Sequence, residues 1–177
     1  MSELGQAMRR QHDAERTAQA MLAMGARTAY VTMATGLSAY RVRAWHRIVT
    51  GRKASQGPVP YHAASIIRTR IAQVRASLFG ALAAQAGAMK TREFSPDLIV
   101  QAYERYLSLA PDPDRALSIN DALVIVRDLR NGSAVLEWCE HCQVQYLDMA
   151  DSPLCACPVY ALYAAAPAGS RQRRVGR

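Results

Sequence analysis

The sequence has no long hydrophobic run, and this absence excludes a membrane-spanning protein. Its longest uncharged and mainly apolar stretch is ASLFGALAAQAGAM at residues 76–89, which is shorter than the roughly 20 apolar residues that a membrane-spanning helix needs. Residues 1–20 are polar and charged, without the continuous apolar core of a signal peptide. We therefore expect a cytoplasmic protein that does not bind membranes.

Acidic residues are absent from Arg16 to Arg92, although this segment contains twelve lysines and arginines. Soluble surfaces usually mix both signs of charge, because a surface of one sign repels itself. An acid-free basic segment is expected where the partner is a polyanion such as nucleic acid. The alternative is a compositional bias toward arginine without functional meaning.

Residues 28–47 have the pattern of two short helices joined by a tight turn. Gly36 lies at the turn, and Ser38 is placed as the N-cap of the second helix. With Thr28 as the first position of a helix-turn-helix unit, the positions that pack the two helices together are apolar. These positions are Val31, Leu37, Val42 and Trp45. The alternative is an ordinary helical hairpin with a solvated basic face.

The outward-facing side chains of the second helix are suited to DNA. Arginine can pair with both acceptors of a guanine edge when the helix lies in a major groove, and tyrosine or serine can contact a phosphate. We expect Tyr40, Arg43 and Arg47 to lie nearest the bases, and the residues after the helix to hold phosphates. The predicted DNA-contacting residues are Ser38, Tyr40, Arg41, Arg43, Arg47, Arg52 and Lys53.

Two further helices are predicted before residue 90. One spans residues 6–24 and ends near Gly25, and the other spans residues 61–87 after a loop at 53–62. Apolar residues recur every three or four positions in the second of these helices, which predicts an apolar stripe along one face. The stripe consists of Ile67, Ile71, Val74, Leu78 and Leu82.

Two more helices are predicted before the cysteines. One begins with Ser95 as the N-cap and Pro96 in the first turn, and it ends at the prolines at positions 111 and 113. The other is stopped by Asn131-Gly132. The sequence thus predicts a mainly α-helical fold followed by a small cysteine module.

All four cysteines lie between residues 139 and 157, with the spacing C-x2-C-x12-C-x-C. Two thiolates two residues apart fit a tight turn around a tetrahedral zinc ion, and a second pair completes the four ligands. The segments AVLEW and VQYLDM alternate like strands, so a short hairpin resembling a zinc ribbon is predicted around the first pair. Because four thiolates leave no open position, we expect one structural Zn2+ per chain. Its predicted ligands are Cys139, Cys142, Cys155 and Cys157.

Other roles for the cysteines stay open at this point. The second pair is C-x-C rather than the usual C-x2-C, so His141 is an alternative ligand, although it lies inside the first turn and would point away from the metal. A redox dithiol at CEHC would leave the second pair without a role, and the strand–helix pattern of thioredoxin-like sites is missing. An iron–sulfur cluster and unpaired thiols are further alternatives. Persistent disulfides are not expected in a reducing cytoplasm.

Five features in this order resemble one known family. They are GARTAYVTMATGLSAYRVRAWHR, GPVPY, VQAYERYL, LVIVRDL and the four-cysteine module. Together they resemble the FlhC family, the zinc-containing subunit of the bacterial flagellar master transcription activator. The resemblance covers about residues 5–160.

The resemblance implies a mostly helical fold and a structural zinc held by the four cysteines. It also implies a complex with FlhD, usually described as four FlhD with two FlhC, in which FlhC supplies much of the DNA contact. Such a complex activates flagellar genes with RNA polymerase. The chain departs from the family pattern in the last cysteine pair, which is separated by Ala156 alone.

We therefore predict a DNA-binding transcription activator subunit that binds FlhD, promoter DNA and RNA polymerase. The alternative is a zinc-stabilised adaptor that binds proteins and whose basic charge is incidental. An enzyme is not expected, because the sequence has neither a histidine–glutamate zinc motif nor a phosphate-binding glycine loop. The predicted domains are residues 1–132 for DNA and partner binding, 133–163 for the zinc module, and 164–177 for a disordered basic tail.

Overall fold

A computed structural model describes the chain in the ranges 3–54, 62–90, 94–110, 112, 115–149, 154 and 156–165. Within these ranges there are eight helices and one antiparallel two-stranded sheet. They are α1 (Glu3–Ala23), α2 (Thr28–Thr35), α3 (Ala39–Thr50), α4 (Ala63–Ile66), α5 (Arg70–Gln85), α6 (Pro96–Leu109), α7 (Ile119–Asn131), β1 (Val135–Cys139), β2 (Val144–Asp148) and α8 (Pro158–Ala165). The predicted mainly helical fold with a small C-terminal hairpin module is confirmed.

Three predicted features lie outside the described ranges. They are the greater part of the loop at 53–62, Cys155, and residues 166–177 of the basic tail. The division of the chain at residues 132 and 163 stays a prediction.

The first three helices pack against one another as a unit. The turn between α2 and α3 places Gly36 in the left-handed region, with φ +69°, which glycine adopts without steric cost. Ser38 then caps α3, because its hydroxyl accepts a 3.4 Å hydrogen bond from the backbone amide of Arg41. The four predicted packing residues are buried or half-buried against the core: Val31, Leu37, Val42 and Trp45. The predicted helix-turn-helix unit is confirmed.

Asn120 fastens the connection between α1 and α2 to α7. The side-chain oxygen of Asn120 in α7 accepts a 2.8 Å hydrogen bond from the amide of Arg27. Its side-chain nitrogen donates to the carbonyl of Gly25 at 3.2 Å. The α1–α2 connection is therefore fixed to the first turn of α7, which limits how the helix-turn-helix unit can move.

An aromatic cluster forms the centre of the helical core. Phe79 of α5 meets the rings of Tyr103 and Tyr106 edge-on, with centroids 6.3 and 6.0 Å away. Both tyrosine hydroxyls are used, since Tyr103 donates to the carbonyl of Leu117 at 2.8 Å and Tyr106 accepts from the amide of Leu117 at 2.9 Å. Burial raises the pKa of Tyr103 above its usual value. Both tyrosines belong to the core, and their hydrogen bonds to Leu117 hold the segment that precedes α7 in place.

The prediction of one helix over residues 61–87 is wrong, because the structure divides this segment into α4 and α5. Ile67 leaves the helical conformation, with φ −94° and ψ 82°, and its side chain is buried. Thr69 then caps α5 by accepting a 3.1 Å hydrogen bond from an amide of the first turn. On the other side of the break, the amide of Ala63 donates to the buried carboxylate of Asp128 at 2.7 Å. Tertiary contacts on both sides thus override the helical periodicity.

The apolar stripe predicted for this segment is only partly buried. Ile67 and Leu82 are buried, but Ile71 and Leu78 are 55% and 37% exposed, and Val74 is half-buried. The face that α5 buries is made largely of small and polar residues instead. It consists of Gln73, Ala76, Ser77, Phe79, Gly80, Leu82 and Ala83.

Close approach of the hairpin to α5 explains this choice of residues. A Cβ atom added at Gly80 would lie 3.2 Å from the side chain of Leu136 in β1, which is tighter than ordinary van der Waals contact. β2 also packs along α5, where its buried residue is Leu147. Small residues on α5 let the sheet lie directly on the helix, and the larger apolar residues are left on the opposite flank.

Candidate nucleic-acid interface and metal centre

The outer face of α3 carries exposed residues one helical turn apart. Tyr40 is 84% exposed, and Arg43 and Arg47 are exposed as well. With Ala44 they line a shallow depression of about 310 Å³. Arg43 is partly ordered by its own helix, since its Nε donates to the carbonyl of Ala39 at 3.2 Å. This arrangement leaves two guanidinium groups and one phenol facing outward.

The structure separates Arg41 from these three side chains. Its guanidinium forms a 2.8 Å ion pair with Glu15 of α1 and lies 6.0 Å from the centroid of the Trp45 ring. Ser38 is likewise engaged, because its hydroxyl caps α3. In the structure, Arg41 and Ser38 therefore stabilise α3, and their predicted contact with DNA stays a prediction.

A small hydrogen-bond network shapes the turn that carries Arg52 and Lys53. The chain leaves α3 through Gly51, whose φ is +66°. The hydroxyl of Thr50 donates to the carbonyl of His46 at 2.7 Å and accepts from the amide of Arg52 at 3.2 Å. The Nδ1 atom of His46 lies 3.2 Å from the carbonyl of Arg52. Both basic side chains are exposed beside the end of α3, and no sequence pattern indicated that a histidine–threonine pair orders the turn that carries them.

Three of the four predicted metal ligands come together in the structure. The sulfur atoms of Cys139, Cys142 and Cys157 all lie within 4.8 Å of one another. Cys139 ends β1, Cys142 lies in the turn to β2, and Cys157 directly precedes α8. Cys155 is outside the described residues, so its place in the cluster stays a prediction.

The turn between the first two cysteines is closed by the backbone. The amide of Gln143 donates to the carbonyl of Cys139 at 2.7 Å. Gln143 takes the left-handed conformation, with φ +53°, which is unusual for a residue other than glycine or asparagine. The strands then pair in register from Cys139 with Val144 to Val135 with Asp148. The hairpin thus fixes both thiols of the first pair at its tip.

Hydrogen bonds lower the pKa of one thiol in the turn, and burial raises the pKa of the other. A hydrogen bond from the backbone of Cys142 lowers the pKa of the Cys139 thiol below its usual value. Burial raises the pKa of the Cys142 thiol to about 11. The sulfur of Cys157 accepts from the amide of Tyr160 in the first turn of α8 at 3.5 Å. Donors aimed at sulfur favour thiolates, which are the form that binds metal.

His141 lies away from the sulfur cluster. Its ring is stacked on Tyr160 of α8, with centroids 4.7 Å apart and planes at 18°. The side chain is exposed and is not among the residues whose ligand atoms converge. The structure therefore offers no support for His141 as the fourth ligand.

The geometry of the three thiols fits a metal ion. Zinc binds thiolate sulfurs at about 2.3 Å, which places tetrahedral sulfur pairs about 3.8 Å apart. The three sulfurs lie within 4.8 Å of one another, so they are near enough to share one ion. A dithiol redox site would use two cysteines and leave the convergence of Cys157 unexplained. These residues could hold a metal ion, and an all-sulfur donor set is typical of zinc.

Polar residues of α5 anchor the segment that bears the second cysteine pair. The side-chain nitrogen of Gln73 donates to the carbonyls of Leu147 and Leu154 at 3.0 and 2.9 Å. Arg70 donates to the side-chain oxygen of Gln73 at 3.1 Å and to the carbonyl of Ala156 at 2.9 Å. The two residues that flank position 155 are therefore tied to the helical core. The sequence did not reveal this role, because Gln73 interrupts the apolar pattern without belonging to a motif.

None of the helices in the described part of the chain is long and apolar enough to span a membrane.

The fold and the two sites define a helix-turn-helix protein with a cysteine-rich module that could bind a metal. The family described as flagellar transcriptional activator (FlhC) matches residues 5–172. Because this match covers nearly the whole sequence, the chain belongs to the FlhC family. The sequence matches no curated protein. The family match confirms the resemblance seen in the sequence motifs, and the family is one of transcriptional activators rather than a known enzyme family.

Proposed function

We propose that this chain is the DNA-binding subunit of a cytoplasmic complex with FlhD, and that it recruits RNA polymerase to flagellar promoters. The observation that carries the proposal is the exposed basic face of α3 within a helix-turn-helix unit. Tyr40, Arg43 and Arg47 project from a helix that a capping serine and a buried valine hold against α1 and α2. That is the arrangement by which such helices enter a major groove.

The surrounding charge supports DNA as the partner. No acidic residue lies in α2 or α3, and among the residues that the structure describes Glu15 of α1 forms an ion pair with Arg41 of α3. Arg52 and Lys53 extend the basic surface beyond the helix end. Lysines and arginines near phosphates displace counterions, so the affinity for DNA should fall steeply with salt.

We further propose that the module holds one structural Zn2+ through Cys139, Cys142, Cys155 and Cys157. When bound, such an ion would cross-link the hairpin tip to the segment before α8. The neighbours of position 155 are held by Gln73 and Arg70, which supports a fourth sulfur close to the other three. The metal would then stabilise the fold rather than take part in a reaction.

Fluorescence anisotropy tests the main proposal. Purified chain is titrated onto flagellar-promoter duplex and onto random duplex, with and without FlhD, at two salt concentrations. Promoter-selective binding that needs FlhD and weakens with salt is the expected result. If zinc-loaded chain with FlhD binds neither duplex, the proposal is wrong and a protein-binding adaptor becomes the better explanation.

Replacing Arg43 with alanine is expected to reduce promoter preference more than general DNA affinity. A bidentate arginine–guanine pair contributes about 1–3 kcal/mol of discrimination against the wrong base. The ratio of promoter to random-duplex affinity should therefore fall by roughly 5- to 160-fold. Arg105→Ala, which removes an exposed arginine from α6, is the matched control. Equal losses on both duplexes would assign Arg43 to the phosphates instead.

Arg41 provides a second comparison on the same helix. Because Arg41 is paired with Glu15, we expect Arg41→Gln to leave the salt dependence of DNA binding unchanged. Loss of a phosphate contact would reduce the slope of log affinity against log salt by about one. A reduced slope would show that the ion pair opens when DNA binds.

A further inference from the structure

The outer face of α3 carries two parallel rows of side chains. Tyr40, Ala44 and Ile48 follow one another at a spacing of four residues, so they form one row along the helix. Arg43 and Arg47 form the neighbouring row at the same spacing. The helix therefore presents a mainly apolar row directly beside a cationic row.

The apolar row is turned almost wholly to solvent. Tyr40 and Ile48, at 84% and 78% exposure, are the two most exposed large hydrophobic side chains in the described part of the chain. Ala44 between them is exposed as well. Ile48 thus contributes little to the core, and its apolar surface is available to a molecule that docks on α3.

The small side chain at the centre of the row leaves room for close approach. Ala44 lies in the shallow depression of about 310 Å³ that Tyr40, Arg43 and Arg47 also line. A longer side chain at position 44 would occupy this depression. Alanine instead lets a flat edge come close to α3 between the arginines, within reach of Ile48 one helical turn further on.

The neighbouring charges favour DNA as the molecule that meets this face. Neither Arg43 nor Arg47 forms an ion pair with any residue that the structure describes, and the family is one of transcriptional activators. The major groove offers hydrogen-bond acceptors for arginine, and the apolar group that its base edges present is the 5-methyl group of thymine. An exposed apolar row beside two arginines is complementary to that combination.

We propose that Ile48 recognises the 5-methyl group of a thymine in the major groove, and that Ala44 gives the base edge room to approach. The inference rests on the proposed binding of DNA by α3, and it adds a residue that determines base specificity. Ile48 is not among the DNA contacts predicted from the sequence, because its side chain has neither charge nor hydrogen-bonding groups. Its exposure on the same face as Arg43 and Arg47 is what assigns it this role.

Replacing thymidine with deoxyuridine in the promoter duplex tests the proposal, because this change removes the methyl group and keeps the base pair. Fluorescence anisotropy compares the affinity of the zinc-loaded full-length chain, with FlhD present, for the thymine and uracil duplexes. The unaltered chain should bind the thymine duplex more tightly by about fourfold for each methyl group contacted, the effect of burying one such carbon.

Three variants separate direct contact with the methyl group from other effects of uracil. Ile48→Ala should bring the ratio of thymine-duplex to uracil-duplex affinity close to one, whereas Ile48→Val keeps both γ carbons and should retain most of the ratio. Leu109→Ala, which alters an exposed leucine at the end of α6, is the matched control and should retain it fully. Because both altered side chains are exposed, circular dichroism and zinc content should stay unchanged.

The other outcomes distinguish this inference from the proposed function. Equal affinity of the unaltered chain for the thymine and uracil promoter duplexes would overturn the role of Ile48 and leave DNA binding standing. A ratio that persists in Ile48→Ala would overturn it too, since the methyl group would then act through DNA shape rather than through this side chain. If the unaltered chain with FlhD binds neither duplex, the proposed function fails, and the inference fails with it.

Discussion

Cys139→Ser is expected to abolish stoichiometric zinc binding and to unfold the C-terminal hairpin. The sulfur of Cys139 lies within 4.8 Å of two other thiols at the tip of the hairpin, so its loss removes one corner of the proposed site. Structural zinc contributes roughly 10–16 kcal/mol of binding free energy in small zinc peptides at neutral pH. Residues that merely orient a ligand change metal affinity by about 10–100-fold, and loss of a ligand should cost more.

Zinc content by plasma mass spectrometry and the reactivity of the remaining thiols measure this effect. The variant should hold well below one zinc per chain, and its remaining cysteines should react rapidly with a thiol reagent. His141→Ala is the matched control, because His141 lies in the same turn and stacks on Tyr160 rather than facing the sulfurs. If Cys139→Ser keeps a full complement of zinc, the thiolate site is refuted. If His141→Ala loses the metal, the histidine is a ligand after all.

The same site should lose its metal as the pH falls. Zinc binds the thiolate form, and burial raises the pKa of Cys142 to about 11 in the metal-free chain. Zinc must therefore displace a proton from Cys142 even at neutral pH, and each further drop in pH strengthens the competition from protons. Metal affinity should decrease steadily on acidification, with proton release detectable when zinc is added to the metal-free protein.

The helix-turn-helix unit and the hairpin could be predicted because local sequence determines both. Gly36 supplies the left-handed turn and Ser38 the cap, and the observed geometry contains both features. The alternation on either side of the first cysteine pair gives the two strands in their observed positions. Patterns of this kind depend on backbone conformation and periodicity over a few residues, which a single sequence displays.

The packing around α5 could not be predicted in the same way. Periodicity indicated one helix over residues 61–87, which the structure divides, and it did not show that small residues such as Gly80 allow the hairpin to approach α5. The break at Ile67 depends on Asp128, which is far away in the sequence and accepts a hydrogen bond from Ala63. Long-range partners of this kind decide which apolar residues are left on the surface.

Gln73→Leu is expected to destabilise the helical core strongly, although it keeps the volume of the side chain. Gln73 is fully buried, and its side-chain nitrogen donates to the carbonyls of Leu147 and Leu154. Leucine has a similar volume but cannot donate. A buried polar group that loses its partner costs about 1–3 kcal/mol, so two such carbonyls should lower the free energy of unfolding by about 3 kcal/mol. Gln101→Leu, which alters an exposed glutamine of α6, is the matched control and should be nearly neutral.

The effect should extend from stability to the metal site, since Gln73 and Arg70 hold the residues on either side of position 155. Release of this segment would let Cys157 move away from the hairpin tip, and zinc affinity should fall by about 10–100-fold, as for other residues that orient metal ligands. Denaturant unfolding measures the free energy of unfolding, and competition with a chromogenic chelator measures the zinc affinity. A loss of stability with unchanged zinc affinity would mean that the cysteines are positioned by the metal and the hairpin alone, and that α5 only supports the fold.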